Sequence, residues 1–88
     1  MKLLIAIIRD VDNDPVNQAL ISEDYRVTQV ASTGGFLRKG STTLMIGVAD
    51  EKVERALQII RENTTQPEES AHRRATIFVL NVAQFIQV

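Results

Sequence analysis

Lys2-Leu3-Leu4-Ile5-Ala6-Ile7-Ile8-Arg9 sets six apolar residues between two cations. A short isoleucine- and leucine-rich run that stops at a polar cluster, here Asp10 onward, predicts a β-strand. Alternation points Leu3, Ile5 and Ile7 to one face and Leu4, Ala6 and Ile8 to the other. A strand that is apolar on both faces belongs in the middle of a sheet covered on both sides. The rest of the chain must therefore supply strands to flank it.

Reading outward, Asp14-Pro15 predicts a helix start. Aspartate can accept a bond from a free first-turn amide, and proline suits the first helical position. Val16, Ala19 and Leu20 repeat at helical spacing, which carries this helix to about Glu23. Tyr25 to Ser32 alternates and predicts a second strand, with Arg26, Thr28, Val30 and Ser32 on one face. Thr33 to Gly40 holds three of the four glycines and predicts a loop. Ser41 to Ala49 predicts a third strand, interrupted by Gly47. Glycine inside a strand marks a bulge or a close backbone approach.

Asp50 is placed to cap a second helix running to about Asn63, with Val53, Ala56, Leu57 and Ile60 as its apolar stripe. Thr64 to Ser70 is a polar connection, and Arg74 to Asn81 a fourth strand. Val82 to Val88 is a tail with Phe85 as its large aromatic. The order β-α-β-β-α-β, with right-handed crossovers, predicts an α+β ferredoxin-like sandwich: a four-stranded antiparallel sheet with two helices on one face. Residues 1–88 then form a single domain. Two helices cover one face only, yet the first and fourth strands are apolar on both. The uncovered face predicts self-association.

The 88 residues include no cysteine and one histidine, His72. Disulfides, thiol catalysis and multi-histidine metal sites are excluded. A net charge of −1 gives no general reason to bind nucleic acid. The longest apolar run is far below the ~20 residues of a membrane span. The expectation is a cytoplasmic domain without a membrane or nucleic-acid partner.

Asp10, Asp12 and Asp14 alternate as calcium-loop ligands do, but Pro15 and Ile21 stand where such a loop needs glycine and glutamate. A solvated turn with a helix cap is the plainer reading. Gly35 to Thr42 approaches a phosphate-binding loop, but Ser41 replaces the required lysine and a strand follows. A glycine-rich turn can still aim backbone amides at an anion. Charge placement adds to this. Tyr25 to Ala49 carries Arg26, Arg38 and Lys39 without an acid, and Ser70 to Val88 carries Arg73 and Arg74 without one. If the fold joins these stretches, a compact anion is favoured. Phe36 could stack on a base or anchor the loop on a neighbouring subunit. Tyr25 reads as core or rim, and His72 as solvated. No nucleophile has a matched base in sequence context, so catalysis is not expected, and no cofactor is implied.

Tyr25-Arg26-Val27-Thr28, then Ala31-Ser32-Thr33-Gly34-Gly35-Phe36-Leu37-Arg38-Lys39-Gly40-Ser41-Thr42-Thr43, then Gly47-Val48, closely resemble the cyclic di-AMP receptor family, the P-II-like signalling proteins. Met1 to Asp10 and Ala75 to Leu80, with Phe85 and Gln87 behind, fit the same pattern. The TGGFLR core at 33–38 is its most specific part.

The resemblance implies a cytoplasmic homotrimer that binds cyclic di-AMP in clefts between subunits, without catalysis, and signals to a protein target of unknown identity. Carried over by position, Arg26 and Thr28 would line the cleft. Gly35, Phe36 and Leu37 would hold the ligand from the loop, with Ser41 at the loop's end. Gly47 would leave it room, and Phe78 and Gln87 would approach from the fourth strand and tail.

Two departures stand out. The family usually has asparagine at Ser41, and serine has shorter reach and no paired donor and acceptor. The family also has a long loop between the second helix and fourth strand, where Asn63 to Arg74 here is short. Arg73 and Arg74 stand where the family tends to have glycines. The alternatives are a P-II-like sensor of another nucleotide or anion, and a trimeric protein-interaction module without ligand binding.

Overall fold

The computed structural model describes residues 1–30, 40–65 and 74–88. The strands are β1 (Lys2–Arg9), β2 (Arg26–Val30), β3 (Ser41–Val48) and β4 (Ala75–Asn81). The helices are α1 (Asn13–Ser22) and α2 (Val53–Asn63), each entered through a short 3-10 turn, Asp10–Asp12 and Asp50–Lys52. The sheet order is β2-β3-β1-β4, with all neighbours antiparallel. This is the ferredoxin-like βαββαβ arrangement, with β1 central as its two apolar faces require.

Register fixes which residues share a face. Leu3 pairs with Gly47 and Leu80, and Ile5 with Met45 and Phe78. Arg26 pairs with Gly47, and Thr28 with Met45. These residues form one face. The other carries Leu4, Ala6, Ile8, Leu44 and Ile46, all sealed with Val16 and Leu20 of α1 and Ala56, Ile59 and Ile60 of α2. Each fully buried Leu or Ile contributes about 1.5–3 kcal/mol relative to exposure. Ile59 joins the α2 stripe beyond the four positions that periodicity named, while Val53 and Leu57 pack at its margin. Tyr25 is buried, and its hydroxyl donates to the Lys52 carbonyl at 3.0 Å.

The two expected aspartate caps are not made. No side chain caps α1, and Asp14 lies inside its first turn. Nor does a side chain cap the Asp50–Lys52 turn, and the Asp50 carboxylate instead lies 3.0 Å from the Met1 backbone nitrogen. That contact holds the carboxyl below its usual pKa. In both cases a 3-10 turn absorbs the residues that would have started the helix.

In the Asp10–Asp14 stretch Asp10, Val11 and Asp14 are exposed, as a solvated turn requires, but Asp12 departs from that expectation. Asp12 is completely buried. Its Oδ1 accepts from the Thr65 amide and from the Thr65 hydroxyl, each at 3.0 Å, and Arg9 Nε lies 3.6 Å from its Oδ2. A carboxylate in this position closes the end of α2 onto the end of β1. The Asp10 carboxylate accepts from the Thr42 hydroxyl, and the Asp10 amide donates to the Gly40 carbonyl at 2.9 Å. Gly40 has φ +83°, which favours glycine there. Both acids are thus occupied by the protein's own donors. Among the described residues no three histidine or acidic side chains gather as metal ligands.

Candidate ligand-binding cleft

After β4 the chain turns back. The Val82 amide donates to the Met1 carbonyl at 3.1 Å, which pins the tail to the start of β1. From there the tail borders the uncovered face of the sheet and encloses a cleft of about 590 Å³. Volumes of that order suit a small-molecule ligand. Three strands supply its floor through alternation and register: Leu3 from β1, Met45 and Gly47 from β3, and Arg26 and Thr28 from β2. Val82, Phe85 and Gln87 supply the wall from the tail, with Met1 beside them.

Among the described residues Arg26 is the one charged side chain in this lining, and none of them brings an acid to it. Among the described residues Arg26 forms no ion pair, whereas Arg9 and Arg55 are both paired with carboxylates. Its guanidinium is free to meet an anion, for which planar bidentate donors are well suited. Thr28 and Gln87 add a hydroxyl and an amide. The remaining walls are apolar, and Phe85 is 61% exposed. One cation, two neutral hydrogen-bonding groups and a large apolar surface suit a ligand that combines a planar body with negative charge. Arg26 projects from β2, the edge strand farthest from β4, whose continuation supplies Gln87, so the site exists only because the tail crosses back.

The cyclic-di-AMP receptor family model matches residues 1–73. The chain belongs to the cyclic-di-AMP receptor family. It is also similar to a solved structure described as a functionally unknown protein from Pediococcus pentosaceus ATCC 25745, at 37% identity and a TM-score of 0.79. The match covers 99% of this chain and 96% of that one.

Of the residues that the resemblance to the receptor family singled out, Arg26, Thr28, Gly47 and Gln87 line the cleft together. Gly35, Phe36 and Leu37, like Arg38, Lys39, His72 and Arg73, lie outside the described residues. Ser41 pairs with Arg9 at the opposite end of β3 from Gly47. Five residues of strand lie between the two, a separation of roughly 20 Å. Phe78 shares the uncovered face but sits on β4, opposite Ile5, and does not line the cleft. Gly47 does not simply leave a gap. A Cβ built there would lie 2.9 Å from the Met1 Cε methyl, which packs over the bare backbone. Met1, Leu3, Met45, Val82 and Phe85 line the cleft without being among the site residues expected from the sequence. Leu3 and Met45 were accessible from alternation, since they share a face with Arg26 and Thr28.

Proposed function

We propose that this chain is a non-catalytic sensor that binds cyclic di-AMP in the cleft, and that it works as a homotrimer with ligand at the contacts between subunits. The observation that supports it most is the meeting of Arg26, Thr28, Gly47 and Gln87 around one cavity. They come from β2, β3 and the tail, and among the described residues Arg26 is the one cation set against the apolar walls. A cyclic dinucleotide has the matching chemistry: two phosphates for Arg26 and planar bases for the apolar surfaces.

The trimer is supported by surface that one chain leaves uncovered. Phe78 is 53% and Leu80 44% exposed, on the same face as half-buried Leu3 and Ile5. Contiguous apolar exposure of this kind marks an interface. Ser41, remote from the cleft of its own chain, can touch ligand only if a neighbouring subunit brings that strand end close. The test is titration calorimetry with cyclic di-AMP, paired with the mass of the particle in solution. Saturation near one ligand per chain by a three-chain particle supports the proposal; a monomer with no saturable heat sinks it.

A further inference from the structure

The chain has two methionines, and both line the cleft. Met45 is fixed in the middle of β3, between Thr28 and Ile5. Met1 is different. Its carbonyl anchors the tail through Val82, but its side chain is 38% exposed and reaches over Gly47. The contact is made by the methyl at the far end of an unbranched chain with three rotatable bonds. Leu3, branched and built into the central strand, cannot yield in that way.

The geometry points to Met1 as a specificity-determining residue of the cleft: a movable thioether wall that packs against the planar base of a bound nucleotide beside Gly47. This rests on the cleft being the nucleotide site. The bare backbone at Gly47 offers a flat surface, and the Met1 methyl now occupies it. A ring that enters must either displace that methyl or lie against it. Thioether sulfur has favourable contacts with aromatic rings, so sliding aside onto the ring replaces the contact that Met1 gives up. Phe85, exposed on the tail side, offers a second apolar surface to the same ring. The arrangement admits planar bases and gives nothing extra to an anion without one.

Two methionines make the test direct. Protein carrying carbon-13 methionine methyl groups shows two methyl signals, and Met45→Leu assigns them by removing one. Gly47→Ala places a Cβ against the Met1 methyl, so in the folded variant the Met1 signal should move before any ligand is added. Titration of the parent with cyclic di-AMP, followed by calorimetry on the same sample, should then shift the Met1 methyl in step with saturation. Inorganic phosphate at the same concentrations should leave it in place. Saturable heat with a stationary Met1 methyl overturns the inference while the sensor reading stands. An unmoved Met1 signal in folded Gly47→Ala, or a parent spectrum without a Met1 signal, also overturns it. Absence of saturable heat removes both readings together.

Discussion

On one face of the sheet Leu4, Ala6 and Ile8 of β1 are sealed under α1 and α2; on the other, Leu3, Ile5 and Ile7 of the same strand are only half-buried. The two sets are chemically alike, so hydrophobicity alone does not separate them. The crossovers do. Both helices fall on one side, and among the described residues the Val82–Val88 segment is what borders the other. The sealed face is where the chain spends its apolar residues on stability. The uncovered face keeps apolar surface, which the proposed function assigns to a second subunit and a ligand.

The largest effect expected from breaking this contrast comes from the sealed face. Leu44→Ala removes a fully buried side chain and should cost about 2–5 kcal/mol, read as a lower urea midpoint. Asp12→Ala should cost about 3 kcal/mol, because it strips the buried partner from Arg9 and Thr65. A stability near the parent's would show that the turn does not depend on that carboxylate.

On the uncovered face the readout changes from stability to assembly. Phe78→Asp should leave the circular dichroism of the fold intact while the sedimenting mass falls from three chains to one. In the cleft, Arg26→Ala removes a charge-assisted contact of about 1.5–3 kcal/mol, so cyclic di-AMP binding should weaken roughly ten- to a hundredfold with an unchanged melting curve. Weakening accompanied by unfolding would move Arg26 from ligand contact to structure.

The smallest effect is expected at the surface. Arg55 reaches the Glu23 carboxylate at 2.9 and 2.5 Å and holds its pKa below the ordinary value of 4.5. A lowered folded pKa gives stability above that ordinary value and loses it as pH falls through the folded one. Both groups are exposed, so Arg55→Ala should shift the urea midpoint slightly at neutral pH and not at all in strong acid. A full-sized loss at low pH would contradict the ion pair as its source.

Much of this contrast was legible in the sequence. Two-faced alternation in Lys2–Arg9 placed β1 centrally, and the element order gave the topology. Alternation also grouped Arg26 with Thr28, and resemblance added Gly47 and Gln87. What escaped was set by tertiary partners. The expected caps were Asp14 and Asp50, but the 3-10 turn puts Asp14 inside α1 and the Met1 nitrogen takes the Asp50 carboxylate, while Thr65 holds Asp12 at the N-cap position. Nothing local encodes a partner 53 residues away. Met1 escaped for a similar reason, because its role depends on the tail returning to it and on the missing side chain at Gly47.

The central claim is that the uncovered face holds a cyclic di-AMP site. Isothermal titration of the purified protein with cyclic di-AMP, with ATP and cyclic di-GMP as controls, tests it most directly. The account predicts saturable heat near one ligand per chain with cyclic di-AMP alone. A flat cyclic di-AMP titration at micromolar protein, or ATP binding that cyclic di-AMP fails to compete, would contradict it.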